Sequence, residues 1–170
     1  MFIATSVDGF IARTDGGIDW LSMVERPGED YGYTRFFSSI DALIVGRRTY
    51  DVALGFPAWP YDGKRCVVLT HDPPPARHGE RFHTGAPAPL LAALHAEGVR
   101  RVYVDGGAVI RLFLGEDLID DLTLSIVPIV LGGGIPLFDA SVPSRALRLA
   151  ASQAFPSGLV QLSYEARAPG

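Results

Sequence analysis

Three short stretches of the chain combine residue types that could bind a phosphate group. The first, GRRTYD, places Gly46, Arg47 and Arg48 directly after an apolar run. The others are Thr70–His71, which follows CVVL, and Gly106–Gly107, which follows VYVD. Cations, hydroxyls and the free N–H groups of a helix start all stabilise phosphate in proteins. Each stretch alone is weak evidence, because short glycine motifs often make only a turn.

The three stretches follow segments with the length and composition of buried strands. These apolar runs are MFIATS, IDALIVG, RCVVLT and RRVYVD, and they alternate with helical patterns over roughly 30–39, 49–53, 87–97 and 108–114. Such alternation predicts a mostly parallel sheet with helices on both faces. After residue 120 the pattern predicts strands in DDLTLSIVPIVLG, LRLAASQAF and LVQLSYEA, with a hairpin at PSG joining the last two. We therefore predict a single α/β domain over residues 1–170.

We expect the three phosphate-suited stretches to form one site. Parallel strands end at the same edge of a sheet, and sheets of this type bind ligands at that edge. Three such loops at one edge favour a dinucleotide, with Thr49 as a candidate helix N-cap. The alternatives are that Arg47 and Arg48 point into water or pair with Asp51, and that the glycines make a turn without a ligand.

Composition excludes several classes of protein. A chain of 170 residues that is 48% hydrophobic and 20% charged is typical of a globular domain. The net charge of −4 and the lack of a Lys/Arg cluster argue against a nucleic-acid partner. The single cysteine, Cys66, excludes an intrachain disulfide, and we expect it to be buried on its strand. We expect no metal site from the histidine spacing, and a cytoplasmic location without a membrane partner from the opening MFIATSVDG.

In order and spacing, these segments resemble the dihydrofolate-reductase-like superfamily. The resemblance rests on SVDGFIA, IDWL, DALIVGRRTYD, RCVVLT, VYVDGGAVIRLFL and LTLSIVPIVLGGGIPLF, and it covers nearly the whole chain. The branch it resembles most is the C-terminal reductase domain of the bifunctional riboflavin-biosynthesis deaminase-reductase. The resemblance implies a three-layer α/β fold, a mostly parallel mixed sheet of about eight strands, a homodimer, and hydride transfer that depends on NADPH.

The resemblance also implies roles for single residues in binding the cofactor. The phosphates would be held at one helix start by Gly46, Arg47, Arg48 and Thr49, and at another by Gly106, Gly107, Ala108 and Val109. The adenosine ribose and its 2′-phosphate would contact Thr70 and His71. Because His71 stands where the family often has an arginine, the choice between NADPH and NADH stays open. The first loop, SVDGFIARTDGGIDWL, is a candidate lid over the cofactor or a surface excursion pinned in the core.

Two carboxylates are candidates for the catalytic proton donor. A carboxyl group in an apolar pocket has a raised pKa and can protonate a substrate. By position in the family, Asp30 matches the acid of dihydrofolate reductases, on a predicted helix with Tyr33. The alternative for Asp30 is a capping or first-turn acid at a helix start. Asp8 matches a position near the substrate in the riboflavin branch, and its alternative is a residue of a tight turn.

These expectations combine into a function. We expect an NADPH-dependent reductase that transfers a hydride to a small heterocyclic or ribosylamino-pyrimidine substrate. The substrates rank as 5-amino-6-(5-phosphoribosylamino)uracil, then a dihydropterin, then another carbonyl or imine. The alternative is a non-catalytic NADP(H)-binding protein of the same fold, which is favoured because the sequence shows no recognisable set of cations for a substrate phosphate.

Overall fold

The computed structural model describes residues 1–166, so the last four residues of the predicted domain lie outside the described part. The strands are β1 (Phe2–Ser6), β2 (Phe10–Ala12), β3 (Ala42–Gly46), β4 (Arg65–Leu69), β5 (Arg81–His83), β6 (Val102–Asp105), β7 (Asp121–Val127), β8 (Ile135–Pro136), β9 (Leu147–Ala154) and β10 (Val160–Ala166). The helices are α1 (Tyr33–Ser38), α2 (Arg47–Ala53), α3 (Pro87–Ala96) and α4 (Gly107–Gly115), with a 3₁₀ helix at Asp19–Val24.

The strands form two four-stranded sheets and a two-stranded one. One sheet has the order β5-β4-β3-β6 and is entirely parallel. The second has the order β1-β7-β10-β9, in which β1 is parallel to β7 and the remaining pairs are antiparallel. β2 pairs with β8. The α/β class with mixed sheets is therefore confirmed.

The predicted single sheet of about eight strands is not observed as one hydrogen-bonded ladder. β6 and β1 lie side by side, and the Tyr103 hydroxyl donates to the Phe2 carbonyl oxygen at 2.9 Å. The backbone ladder nevertheless stops between these two strands, so that eight of the strands divide into two sheets of four. A side-chain hydroxyl thus joins the two sheets at the point where backbone pairing is interrupted.

Helices cover both faces of the parallel sheet, as predicted. On one face Ile44 and Val67 pack with Leu94 of α3 and Phe113 of α4. On the other face the core side chains come from β3, β4, β6, α1 and α2, and they include Leu43, Val45, Val68, Tyr103, Phe36 and Tyr50. Cys66 belongs to this second cluster and is 5% exposed, so its predicted burial on a strand is confirmed. Alternate residues of each strand therefore supply the two cores.

Several predicted element boundaries are corrected by the structure. The helix predicted from residue 30 begins at Tyr33, because Tyr31 and Gly32 have φ values of 55° and 79° that no α-helix accommodates. Thr49 is not an N-cap, since α2 begins two residues earlier and Gly46 caps it. The proline-rich segment between β4 and α3, HDPPPARHGERFHTGAPAP, which we expected to be a long loop, contains the short strand β5. The predicted hairpin is confirmed, since β9 and β10 pair antiparallel.

Candidate active site

The three phosphate-suited stretches meet at one edge of the parallel sheet. In the observed register, Gly46 of β3 lies beside Leu69 of β4, and Val45 lies beside Asp105 of β6. The carboxyl ends of the three strands are therefore level, and the residues that follow them emerge together. This confirms the expectation that the loops share an edge.

Gly106 lets the first turns of α2 and α4 pack against each other. It has a φ of +92°, in the left-handed region that favours glycine. A Cβ at this position would overlap the Thr49 Oγ1 atom of α2. Gly46 is similarly close to α4, since its Cβ would lie 3.1 Å from Val109 Cγ2. Thr49 thus occupies the space that a side chain at Gly106 would need. The glycine is therefore required for the first turns of α2 and α4 to pack this closely.

This packing brings two sets of backbone N–H donors together. Glycines precede α2 and α4, and neither helix has a side-chain cap at its start. In α4 the Ile110 N–H donates to the Gly106 carbonyl at 2.9 Å, so the N–H groups of Gly107, Ala108 and Val109 precede the helical hydrogen bonds. Two helix N-termini with adjacent free donors fit a pyrophosphate group.

Arg47 is held between α2 and the loop that follows β4. Its Nε donates to both carboxylate oxygens of Asp51, at 2.9 and 3.0 Å. Its Nη1 donates to the Asp72 carbonyl oxygen at 2.7 Å. The pairing with Asp51 is thus the arrangement observed in this structure, and an anion at this site would share the guanidinium with that carboxylate. Arg48 is exposed, and its Nη2 atom lies beside Gly16 of the first loop, 3.3 Å from the position of a Cβ there.

Thr70 and His71 begin a turn next to Arg47. The Thr70 Oγ1 atom accepts from the Asp72 N–H at 3.1 Å and donates to the Asp72 carbonyl at 3.2 Å. His71 lies between them and is exposed. Arg47 contacts the same Asp72 carbonyl oxygen as Thr70. Arg47, Thr70 and His71, which come from two separate stretches of the sequence, therefore lie together at this edge of the sheet.

A buried carboxylate, Glu80, fixes the loop that carries this turn, and sequence reasoning missed it. Glu80 is 5% exposed, accepts from the Tyr50 hydroxyl of α2, and accepts from the Arg77 and His78 N–H groups at 2.8 and 2.7 Å. Burial would raise the pKa of Glu80, but the Tyr50 hydroxyl and the two backbone N–H groups outweigh burial and lower it to about 2. Glu80 therefore ties residues 71–80 to the helix that begins at Arg47.

The two predicted proton donors do not have the raised pKa that the role requires. Asp30 is exposed and accepts from the Gly32 and Thr34 N–H groups at 2.9 and 3.0 Å, just ahead of α1. The Thr34 side chain, then the Thr34 and Gly32 N–H groups, lower the pKa of Asp30. The expectation of a desolvated acid on a helix is wrong for this residue, and the capping alternative describes its contacts.

Asp8 likewise makes structural contacts. Its carboxylate accepts from the Leu131 and Gly132 N–H groups at 3.1 and 2.8 Å, which joins the first loop to the LGGG segment. The Ser6 hydroxyl and these two N–H groups lower the pKa of Asp8. Asp8 is therefore an ionised acceptor between two loops at neutral pH.

Asp105, at the carboxyl end of β6, is the carboxyl group with a raised pKa. Removal from water raises the pKa of Asp105, and the Gly106 N–H, which donates to Oδ1 at 2.8 Å, only partly opposes this effect. The charge of Asp105 in turn contributes to the raised pKa of Tyr33, Tyr61 and Tyr103, after burial as the first cause. Asp105 thus lies near three tyrosines and directly before Gly106, the residue at which the first turns of α2 and α4 meet; we call this contact the joint of α2 and α4. The sequence signal for Asp105 is an acid between a buried strand and two glycines, a pattern that equally marks the end of a strand.

A cleft of about 280 Å³ lies on the opposite side of β1 from Asp105's strand. Its lining residues come from β1, the 3₁₀ helix and the segment after it, β7 and the end of the hairpin: Phe2, Ala4, Leu21, Val24, Glu25, Arg26, Glu29, Asp30, Tyr31, Ser125, Val127 and Leu159. The Phe2 ring also contacts the Tyr33 ring, with centroids 5.8 Å apart. Phe2 and Tyr33 therefore connect the cleft to the group around Asp105.

Residues 1–166 contain neither a candidate metal site nor a helix suited to span a membrane. Within that range no cluster of three or more His, Cys, Asp or Glu side chains has the arrangement to hold a metal ion. None of the helices in the same range is both long and apolar enough to cross a membrane.

Comparison with known proteins identifies the family. The RibD C-terminal domain family matches residues 1–161. YwjB, an uncharacterized protein of Bacillus subtilis (strain 168), is 39% identical over 168 residues, which are 96% of this chain and 95% of that protein. The crystal structure of a candidate riboflavin biosynthesis protein from Shewanella sp. PV-4 superposes with a TM-score of 0.91 at 36% identity, covering 98% of this chain and 97% of that one.

A more distant structure shares the fold. The deaminase/5-amino-6-(5-phosphoribosylamino)uracil reductase of Thermotoga maritima superposes with a TM-score of 0.72 at 16% identity, over 98% of this chain and 55% of that one. The superposed part is thus about half of a two-activity protein, and at this identity the likeness concerns the fold. The resemblance inferred from the motifs is confirmed: the chain belongs to the RibD C-terminal domain family, whose fold is dihydrofolate-reductase-like.

Proposed function

We propose that the protein is an NADPH-dependent reductase that transfers a hydride to a small heterocyclic or ribosylamino-pyrimidine substrate. Membership of the RibD C-terminal domain family supports an oxidoreductase of the pyrimidine reductase type. The observation that carries the proposal is the joint of α2 and α4. Two helix N-termini meet there beside Arg47, and Asp105, an acid of raised pKa, directly precedes Gly106. A phosphate-binding group and a proton donor are the two elements that this reaction needs from the protein.

The pyrophosphate would lie against the starts of α2 and α4. The donors are the first-turn N–H groups that follow Gly46 and Gly106, with Arg48 at the rim. Arg47, Thr70 and His71 would take the adenosine ribose and its 2′-phosphate, because all three adjoin the Asp72 turn. When bound, the reduced nicotinamide supplies the hydride.

Asp105 would supply the proton that accompanies hydride transfer. Burial favours its neutral form, which is the form that can donate. Tyr103 and Tyr33 lie near the carboxyl group, and their own raised pKa values keep them neutral there. The substrate would extend from the cleft past Phe2, whose ring adjoins Tyr33, to the Asp105 carboxyl group, since a proton donor must lie within hydrogen-bond reach of the reacting atom.

The Asp105→Asn variant tests this assignment. We expect its kcat to fall by about 10²- to 10⁴-fold, the usual contribution of a general acid, while NADPH affinity stays close to that of the wild type. In the wild type, kcat should fall as pH rises through the raised pKa of Asp105, because the ionised form has no proton to give. That limb of the pH profile should be absent in Asp105→Asn.

Two controls make this test decisive. Glu116→Gln removes an exposed carboxyl group at the far end of α4 and should leave the pH profile unchanged. Asp30→Asn tests the earlier candidate directly. If Asp30→Asn removes the limb and Asp105→Asn does not, Asp105 is not the proton donor.

The expected homodimer is part of the same proposal. β9 is an edge strand whose residues after Leu147 are all exposed, and Leu149 is 51% exposed. An edge of this length with a single charge, Arg148, is suited to pairing with another strand. Light scattering on the purified protein should give twice the chain mass, and a single chain mass would remove the dimer from the proposal.

A further inference from the structure

One helix, α2, holds both ends of the loop that follows β4. At the start of α2, the Arg47 Nη1 atom donates to the Asp72 carbonyl oxygen at 2.7 Å. Further along the same helix, the Tyr50 hydroxyl donates to the Glu80 carboxylate. The loop is therefore fixed to α2 at two points, and the turn proposed to bind the 2′-phosphate lies at the first of them.

The contact at Glu80 is buried and involves three hydrogen-bond donors. Tyr50 is fully buried and Glu80 is nearly so. Besides the Tyr50 hydroxyl, the carboxylate accepts from the backbone N–H groups of Arg77 and His78, at 2.8 and 2.7 Å. The Trp59 ring stacks on the His78 ring, with centroids 4.4 Å apart, and meets the Tyr50 ring edge-on at 6.0 Å. Because charge-assisted hydrogen bonds are strong where water is excluded, this contact fixes the end of the loop firmly.

The chain between the two contacts is stiff. It contains three consecutive prolines, Pro73, Pro74 and Pro75. The proline ring fixes φ at about −65°, and proline runs act as semi-rigid spacers. A displacement at Glu80 is therefore carried to Asp72 rather than absorbed by the residues between them. The buried contact at Glu80 thus determines where the turn at Asp72 lies.

We propose that Tyr50 and Glu80 are positioning residues for the 2′-phosphate of NADPH and thereby set the preference for NADPH over NADH, an inference that rests on the reductase function proposed above. Neither side chain touches the cofactor. Their bond holds the turn at Asp72 beside Arg47 before the cofactor binds, so that binding does not have to order the loop. NADH lacks the 2′-phosphate and depends less on this placement, because hydrogen bonds to charged groups contribute more than those between neutral groups.

The charge of Glu80 distinguishes positioning from a direct electrostatic effect. Its hydrogen bonds lower the pKa of Glu80 to about 2, so the carboxylate is ionised at neutral pH. A negative charge near the turn repels a phosphate, so electrostatics alone would make Glu80→Gln bind NADPH more tightly. Positioning has the opposite consequence, because a neutral amide is a weaker acceptor for the three donors and loosens the loop. The two explanations therefore differ in the sign of the effect.

Cofactor binding in the absence of substrate tests the proposal. The Kd values of NADPH and NADH are measured by cofactor fluorescence for the wild type, Tyr50→Phe, Glu80→Gln and the double variant, with folding checked by circular dichroism. We expect each single variant to weaken NADPH binding about tenfold and NADH binding less than about threefold. The double variant should lose no more than the weaker-binding single variant, because the two side chains act through one bond. Tyr50→Phe changes no charge and removes one oxygen, so it decides the test if Glu80→Gln does not fold.

Tyr31→Phe is the matched control. It also removes a hydroxyl that donates to a backbone carbonyl, that of Val24, but it does so away from the loop after β4, and the ratio of the two Kd values should stay at the wild-type value. Tighter NADPH binding by Glu80→Gln, equal weakening of both cofactors, or the same change of ratio in Tyr31→Phe would overturn the proposal. A wild type that binds neither cofactor fails the reductase proposal itself. A wild type that binds both, with a ratio that Tyr50→Phe and Glu80→Gln leave unchanged, fails only the positioning role.

Discussion

Replacing Gly106 by alanine should destabilise the protein through the contact between α2 and α4. The backbone there has φ +92° and ψ 128°, a sparsely populated combination that glycine adopts readily and that costs an alanine about 1–3 kcal/mol. The new Cβ would also overlap Thr49 Oγ1, and forcing an extra carbon into a packed contact costs about 1–3 kcal/mol. We therefore expect Gly106→Ala to lower the free energy of unfolding by about 2–6 kcal/mol.

Two companion variants separate these contributions. Gly98 has a nearly equal φ of +87°, and a Cβ there would have no atom within 4 Å, so Gly98→Ala should cost only the backbone contribution of about 1–2 kcal/mol. In a Thr49→Ala background the overlapping oxygen is absent, and Gly106→Ala should then cost only its own backbone contribution of about 1–3 kcal/mol. The assay is urea unfolding of all five proteins, compared at equal m-values.

The reasoning would be refuted by either of two results. One is a cost of Gly106→Ala equal to that of Gly98→Ala in the wild-type background, since Thr49 would then contribute nothing. The other is a cost that does not change when Thr49 is removed. In either case the two helix starts would not be in the contact that brings their N–H donors together.

The remaining predictions concern the loop after β4 and the cofactor phosphates. Glu80→Gln should cost about 3 kcal/mol at pH 7, from the difference between a pKa of 4.5 and one of about 2. Because the pKa of Glu80 is lowered in the folded state, this stabilisation is complete above pH 4.5 and is lost as pH falls toward 2. Between those values the free energy of unfolding should decrease in the wild type and change less in the variant. Parallel curves for the two proteins would contradict this. Arg47→Ala should weaken NADPH binding by about 1.5–3 kcal/mol, measured by cofactor fluorescence, and an unchanged Kd would return Arg47 to a role with Asp51 alone. Asp51→Asn should strengthen NADPH binding, because it releases the guanidinium that Asp51 holds in this structure; weaker binding would contradict that competition.

The sheet edge was predictable from the sequence because its signals are local. Apolar runs of strand length followed by glycine, threonine or arginine define where β3, β4 and β6 end. Parallel pairing then places these three ends at the same edge of the sheet. The start of α1 was not predictable in the same way. Tyr31 leaves the helical region while its hydroxyl bonds to Val24 and Ser157 and its ring packs on Phe155, and the partners on the hairpin are more than 120 residues away.

The raised pKa of Asp105 was not predictable from the sequence for a related reason. A pKa depends on burial and neighbours, and those of Asp105 come from α1, the loop after α2 and its own strand, through Tyr33, Tyr61 and Tyr103. The sequence showed an acid next to glycines but gave no measure of its desolvation. Family position pointed to Asp30, where the local contacts make a capping residue.

Titration of the purified protein with NADPH and with NADH tests the central claim most directly. If the joint of α2 and α4 holds the pyrophosphate and Arg47 lies at the 2′-phosphate, both cofactors should bind saturably, and NADPH should bind more tightly. Binding of neither would mean that the glycine turns serve only helix packing, and it would contradict the proposed reductase function.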